Sequence, residues 1–275
     1  MNCIDFDKKF EDYMRVWVKN NAEKYKNNMD VIEAMMPEIY MSFLSRPATW
    51  LGGKAPQAYF EQYQDADMLV AWMCQYYKEK IPVPDLLLER ITELGEAAEN
   101  ALLVLPFGKK VHEEAALTAI SLLREMESVK PMQQYIDFIS SLDEPDEKGD
   151  MCAESLLSMG EEAVSAMLAA LPQAKAAGRD IFADILSNYP GDDRIFTLLM
   201  ERFENAQDQK ALFASYLAKF GDERALPALM SAALDERINY LDYVEVVNAI
   251  DALGGERPPE RDFSGDPYYE SLRRV

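Results

Sequence analysis

A short pattern recurs along this chain at intervals of 30 to 33 residues. The stretches YPGDDRIFTLLM and FGDERALPALM align without a gap from Gly191 and Gly221, with two acids and an arginine after each glycine. We name the corresponding positions the glycine column: Gly95, Glu127, Gly160, Gly191, Gly221 and Gly254. A fixed period of this length indicates an array of repeated supersecondary units.

Apolar residues flank the glycine column at helical spacings. Four residues before it stand Ile91, Leu123, Leu156, Leu217 and Ile250, and eight residues after it stand Leu103, Tyr135, Leu168, Leu199 and Leu229. In the unit at Gly191, Leu186 restores the first row one place earlier. Because residues three and four apart share one face of an α-helix, each unit predicts two amphipathic helices that meet at the column. We therefore expect an all-α fold.

The residues at and after the column predict how the two helices are joined. A glycine can end the first helix in a left-handed conformation, which a side chain disfavours. The acids that follow, such as Glu96, Glu161, Asp192 and Asp222, then start the second helix, where they can cap free amides and face the positive end of the helix dipole. Paired catalytic carboxylates or metal ligands are the alternative interpretation. Recurrence at every repeat favours caps.

The runs LGEAAENALLVLP, MGEEAVSAMLAALP and FGDERALPALMSAAL resemble the short bacterial HEAT-like repeat first described in phycobilisome lyases. The resemblance covers residues 82–255 and implies an α-α superhelix, a HEAT-like solenoid of about five to six stacked hairpins. We expect residues 1–81 to form an N-terminal helical cap and residues 256–275 a C-terminal tail or cap. Such repeats occur in scaffolds and in lyase subunits, so the resemblance says little about function.

Three further features of the sequence predict local structure. Trp17, Trp50 and Trp72 all lie in the first eighty residues, which predicts an aromatic cap core or, alternatively, an aromatic and Met-rich docking surface. The C-terminal stretch is expected to fold back through Tyr268, Tyr269 and Leu272, with a docking peptide as the alternative. Pro227 falls at the fifth place of a predicted helix, where it should bend that helix.

The net charge of the chain restricts the classes of molecule that it can bind. The formal charge of −21 is uneven, because residues 1–80 carry 10 Lys and Arg against 12 Asp and Glu, and residues 81–275 carry 18 against 37. Nucleic-acid affinity depends largely on Lys and Arg at phosphates, so nucleic acids and anionic membranes are disfavoured. We expect a protein partner with a basic segment, although such charge also serves solubility.

No residue pattern predicts catalysis, a cofactor or a metal site. Three cysteines without a metal-ligand spacing, and the lack of a targeting or membrane-spanning pattern, favour a cytoplasmic protein. Because His112 is the sole histidine, a catalytic triad would depend on this one residue, and an ordinary surface histidine is the favoured interpretation. The turn at Gly52, Gly53 and Lys54 lacks the P-loop spacing, and the acidic loop at 142–150 lacks the calcium-loop order.

Polar residues two and six places before the column predict a ladder along a concave groove. The candidate binding residues are Glu89, Glu93, Ser121, Glu125, Glu154, Ser158, Ser215, Lys219 and Asn248. The first function hypothesis is a non-enzymatic protein–protein interaction scaffold. The alternative is an enzyme or a lyase-type accessory subunit acting on a small molecule. An open groove would favour the scaffold, and a deep pocket with converging polar groups would favour the enzyme.

Overall fold

The computed structural model describes residues 2–21, 24, 29–206 and 208–272. Every regular element in those ranges is helical, which confirms the predicted all-α fold. The chain forms two compact units that divide between Pro131 and Met132, here named the first and the second unit. The predicted end of an N-terminal cap at residue 81 therefore lies inside the first unit. No helix in the described ranges is long and apolar enough to cross a lipid bilayer.

The helices follow the predicted hairpin order. Before the repeats come α1 Phe6–Asn21, α2 Met29–Ala34, α3 Met36–Ser45 and α4 Ala66–Glu79. The helices that precede the column are α5 Asp85–Glu93, α7 Glu113–Glu125, α9 Glu147–Ser158, α11 Ala176–Leu186, α13 Lys210–Phe220 and α15 Tyr240–Ala252. The helices that follow it are α6 Glu96–Leu102, α8 Met132–Ser140, α10 Glu161–Ala170, α12 Asp193–Asn205 and α14 Leu226–Leu234, and α16 Pro267–Leu272 lies near the C-terminus. Superhelical stacking of the whole array stays a prediction.

Every member of the glycine column has a positive φ. The values are 58° at Gly95, 54° at Glu127, 70° at Gly160, 96° at Gly191, 78° at Gly221 and 74° at Gly254. Glu127 and Lys80 are the two described residues other than glycine in this region of backbone space. A glutamate thus adopts the positive φ of the column even where glycine is missing. The column residue comes one or two residues after the last residue of α5, α7, α9, α13 and α15, as predicted, whereas α11 already ends at Leu186, five residues before Gly191.

Acidic residues after the column begin the second helices, as predicted. Glu96 and Glu161 are the first residues of α6 and α10, near the positive end of each helix dipole. Asp192 is the N-cap of α12 and accepts a hydrogen bond of 2.8 Å from the backbone N–H of Arg194. The cap at Asp192 and the positions of Glu96 and Glu161 in the first turns of their helices agree with the capping interpretation of these carboxylates.

The predicted bend at Pro227 is wrong. Glu223–Ala225 form a single 3-10 turn, and α14 begins only at Leu226. Pro227 consequently stands in the first turn of α14, where an N–H group has no partner within the helix and its absence does no harm. The sequence spacing alone could not separate a short 3-10 turn from the first turn of one longer helix.

Arg224 connects neighbouring hairpins of the second unit. Its Nη2 donates a hydrogen bond of 2.7 Å to Oδ1 of Asp193, which lies 31 residues earlier at the start of α12. Its guanidinium also lies 4.3 Å from the ring centre of Phe196, at a cation–π distance. The arginine of the repeated motif therefore joins the start of one second helix to the start of the next.

The aromatic residues near the N-terminus contribute to the core of the first unit. Phe6, Phe60 and Trp72 are nearly inaccessible to solvent, and the rings of Phe60 and Trp72 lie 5.3 Å apart. The hydroxyl of Tyr76 donates to the carbonyl of Ile4 and accepts from its N–H, which fixes the N-terminal segment on α4. Helix α4 in turn packs against α5, α6 and α7. The role of residues 1–81 as a cap stays a prediction.

The C-terminal stretch packs on α15. The rings of Phe263 and Tyr269 lie 5.2 Å and 4.9 Å from the ring of Tyr240, the first residue of that helix. Phe263 is buried, whereas Tyr268 and Leu272 are each about half exposed. Of the three residues predicted to anchor the tail, Tyr269 makes the closest ring contact, and Phe263 is the anchor that the sequence did not single out.

Candidate functional site

An open groove of about 400 Å³ crosses α9, α11 and α13 of the second unit. We name it the acidic groove. Each helix contributes side chains three or four residues apart, as Asp150, Glu154 and Leu157 do on α9. The same helix buries a different face, which includes Cys152 and Leu156. The helices that precede the column therefore have two specialised faces, one in the core and one towards the groove.

The lining of the acidic groove includes apolar side chains. These include Leu157 of α9, Ile181 and Ile185 of α11, and Leu212 of α13. Leu157 is 43% exposed and Leu212 is 38% exposed, although both belong to helices with well-buried opposite faces. An apolar side chain left accessible in a concave surface gains free energy when a partner covers it.

Four carboxylates and one ammonium group line the acidic groove. The carboxylates are those of Asp150, Glu154, Asp180 and Asp184, and the ammonium is that of Lys219. Acids therefore outnumber bases in this lining, which favours a cationic ligand.

The Asp180 carboxylate is paired within the wall of the groove. Its Oδ1 contacts Nη2 of Arg202 on α12, and both side chains are about three-quarters buried. The guanidinium of Arg202 also lies 5.4 Å from the ring centre of Phe213. Burial raises the pKa of Asp180 above its ordinary value, although the charge of Arg202 opposes this shift. This pair supports the wall, since removing either partner would leave a poorly solvated charge.

The Asp184 carboxylate is in a more exposed pair. Lys219 on α13 donates to its Oδ1 over 3.5 Å, and the Lys219 and Asp184 side chains are 42% and 55% exposed. Tyr216 lies one turn before Lys219 on the same helix and also lines the groove. Burial, and then the charges of Asp184 and Asp180, raise the pKa of Tyr216 to about 12. The hydroxyl therefore stays protonated at neutral pH.

The predicted ladder residues divide between several places. Glu154 and Lys219 line the acidic groove. The others in the second unit are Ser158 on α9, Ser215 on α13 and Asn248 on α15, which are exposed but lie outside the groove lining. Those in the first unit are Glu89 and Glu93, exposed on α5, and Ser121 and Glu125, half-buried and exposed on α7.

Several residues of the groove were not predicted from the sequence. Asp150, Asp184, Asn188 and Tyr216 line it, but none stands two or six places before the column. On α9 the lining positions fall three, six, seven and ten places before the column. The chain from α11 to Asn188 repeats these four positions and adds Ala177 and Asp180, fourteen and eleven places before it. At 3.6 residues per turn these positions share one face of each helix, and on these two helices only the predicted column six places before Gly160 and Gly191 belongs to that face.

A second cavity, of about 470 Å³, lies in the first unit. Its lining includes the rings of Tyr13, Phe43 and Trp50 together with the cations of Lys9 and Arg46. The Lys9 ammonium lies 5.6 Å from the ring centre of Trp50. This cavity lacks the excess of carboxylates that characterises the acidic groove.

The two buried cysteines and the histidine lie in surroundings that account for them structurally. Burial raises the pKa of Cys152 to about 12, and burial followed by the charge of Glu79 raises that of Cys3 to about 11, so both thiols are poor nucleophiles at neutral pH. His112 is the N-cap residue of α7 and stacks on Tyr77 at 6.0 Å. Within the described ranges, no group of three His, Cys, Asp or Glu side chains could hold a metal ion.

Comparison with known proteins gives no family for the chain. No model of a known protein family matches the sequence, and no curated protein matches it either. The chemistry of the acidic groove is therefore the basis on which a function can be argued.

Proposed function

We propose that the acidic groove binds a basic segment of another protein and that the chain acts as a non-enzymatic interaction scaffold. The observation that carries this proposal is the lining itself, which combines four carboxylates and one ammonium with apolar side chains such as Ile181 and Leu157. A segment with Lys or Arg next to apolar side chains complements both parts. The apolar contacts would supply affinity, and the carboxylates would supply specificity and fast association.

The size of the groove fits a short segment. Helices pack about 8–10 Å apart, so a path from α9 across α11 to α13 is about 20 Å long. An extended chain rises about 3.3 Å per residue and would cover that path with about six residues. Such a segment can bring both apolar and basic side chains against the matching parts of the lining.

The enzymatic alternative has less support. The Asp180 carboxylate is engaged by Arg202, and Tyr216 holds its proton at neutral pH. Asp184 is paired with Lys219 in a groove that is open to solvent. General acid–base catalysis requires a group whose pKa is shifted towards neutrality beside a position for the substrate. The pKa of Asp180 is shifted in that direction by burial, but Arg202 occupies its carboxylate.

The class of partner and the location follow from charge and cysteine chemistry. Residues 81–275 contain about twice as many acids as bases, which opposes binding to phosphate backbones and anionic lipid surfaces. We therefore propose a protein partner and neither nucleic acid nor membrane. Cys3, Cys74 and Cys152 are free thiols, which fits a cytoplasmic location.

Binding of a defined peptide tests the proposal. The probe is a fluorescein-labelled peptide of alternating leucine and lysine residues, measured by fluorescence anisotropy at about 150 mM salt. We expect the combined variant Asp150→Asn, Glu154→Gln and Asp184→Asn to bind it about tenfold more weakly than the unaltered protein. Each exposed charge pair contributes about 0.2–1 kcal/mol, and three such losses give about this factor.

A matched control separates the groove from general charge. The combined variant Asp137→Asn, Glu162→Gln and Glu201→Gln removes three exposed carboxylates from α8, α10 and α12, outside the groove lining. It should bind the peptide within about twofold of the unaltered protein, since scattered surface charges are screened at this salt concentration. Equal losses in the two variants would mean that the peptide responds to net charge, and the proposal would fail.

A further inference from the structure

Two carboxylates of the acidic groove differ in how far an incoming cation can reach them. Asp180 and Arg202 form a close pair in which each side chain is 24% exposed. Asp184 and Lys219 form a longer pair of 3.5 Å in which the side chains are 55% and 42% exposed. A cation from a partner can therefore displace the ammonium of Lys219 far more readily than the guanidinium of Arg202.

The surroundings of Asp184 favour one kind of cation. Tyr216 lies one helical turn from Lys219, and both line the groove with Asp184. The charge of Asp184 also acts on the Tyr216 hydroxyl. A lining that offers both a carboxylate and an aromatic ring matches a guanidinium, because its planar fork can bind both carboxylate oxygens while its face stacks on a ring. An ammonium group is a point charge and gains less from such a site.

We infer that Asp184 and Tyr216 form an anchor site for an arginine side chain of the partner, and that Lys219 occupies this site in the free protein. The inference rests on the proposed function and specifies its ligand chemistry. In the free protein the Lys219 ammonium contacts one oxygen of Asp184. In the complex the arginine guanidinium replaces it and binds both oxygens, and Lys219 turns towards solvent.

Paired peptides test the preference for arginine. The probes are the labelled leucine–lysine peptide and its leucine–arginine counterpart, which have equal charge and length. We expect the unaltered protein to bind the arginine peptide about tenfold more tightly, because a bidentate charged pair is stronger than a single one. Asp184→Asn should reduce this ratio to about one, and Asp137→Asn, which removes an equal charge from α8, should leave it unchanged.

A lysine variant tests the role of Lys219. Lys219→Met removes the internal occupant and should raise affinity for the arginine peptide about threefold. Lys175→Met is its control, because the Lys175 ammonium pairs with Asp143 at 2.8 Å outside the groove lining and its loss changes net charge equally. We expect the control to change affinity less than twofold, since a distant charge is screened.

The outcomes separate this inference from the proposed function. Tight binding of both peptides with equal affinity, lost in the groove variant with three substitutions, would leave the scaffold in place and overturn the arginine anchor. No binding of either peptide would overturn both. Equal gains in affinity for Lys219→Met and Lys175→Met would mean that Lys219 does not occupy the anchor site in the free protein. Circular dichroism of each variant verifies that its helices are intact.

Discussion

At the scale of single residues, backbone conformation explains the repeat better than side-chain chemistry does. The glycine column recurs because each hairpin needs a positive φ where its first helix ends. Gly160 has φ 70° and ψ −147°, a region that is almost exclusive to glycine, whereas Gly221 has φ 78° and ψ 24°, in the left-handed helical region. The backbone conformation at Gly160 therefore excludes other residues more strongly than the conformation at Gly221 does.

Substitutions in the column should follow this difference. Gly160→Ala should lower the free energy of unfolding by about 2 kcal/mol and Gly221→Ala by about 1 kcal/mol. An added Cβ meets no atom within 4 Å at either position, so the effect would come from the backbone. Glu127→Gly should instead stabilise the protein by about 0.5 kcal/mol, since relief of left-handed strain exceeds the added entropy of the unfolded chain.

Urea unfolding followed by circular dichroism measures all three changes. An alanine variant of Gly108 is not a suitable control, because a Cβ there would lie 2.5 Å from Val111. Gly52→Ala is the better control, since Gly52 lies outside the column and its φ of 64° and open surroundings resemble those of Gly221. Equal losses at Gly160 and Gly221 would contradict the role assigned to the ψ angle.

At the scale of helices, hairpins are joined by polar contacts at the starts of their second helices. Arg224 pairs with Asp222 of its own hairpin and with Asp193 of the preceding one. Arg237 has the same spacing from Asp235, and the two form a local pair in which Arg237 is 90% exposed. The shared spacing of acid and arginine therefore has different consequences in the two places.

Arg224→Met should lower the unfolding temperature, because it loses the contacts of the guanidinium with Phe196 and Asp193, whereas Arg237→Met should leave that temperature nearly unchanged. Methionine keeps most of the aliphatic stem, so the difference isolates the guanidinium at Phe196 and Asp193. Thermal and urea unfolding of the two variants measure the effect. Equal stability of both variants would mean that Arg224 does not couple the hairpins.

The sequence predicted the helices well and the groove less well. The period of the apolar residues and the glycine column located both helices of each hairpin because these signals arise from local backbone geometry and burial. The 3-10 turn before Pro227 was missed, since one turn of 3-10 helix has almost the same residue spacing as an α-helix. Asp184 and Tyr216 were missed because the face of a helix towards a groove depends on its rotation relative to its neighbours.

At the scale of the whole molecule, the charge of −21 affects stability as well as binding. A chain with 49 acids and 28 bases repels itself when it is compact. Its local pairs, such as Arg15 with Glu11, are largely exposed and contribute little in return. Net repulsion over the compact protein should therefore outweigh the gain from individual pairs at low salt.

Sodium chloride should consequently stabilise the protein at neutral pH. Raising its concentration from about 10 mM to about 300 mM shortens the screening length several-fold. We expect the unfolding temperature to rise by about 3 °C, measured by circular dichroism. A fall over this range would mean that the pairs outweigh the repulsion. Uncharged sucrose at equal osmolarity is the control, since it leaves electrostatic screening unchanged.

The separation between the glycine column and the acidic groove makes the chain suitable for protein engineering. Residues that set the fold occupy the column and the buried stripes, whereas Asp150, Glu154, Asp184, Tyr216 and Lys219 face the groove. A library that randomises these five positions would leave every capping residue and helix end intact. Selection from such a library could yield grooves that bind acidic, neutral or aromatic peptides on one unchanged helical framework.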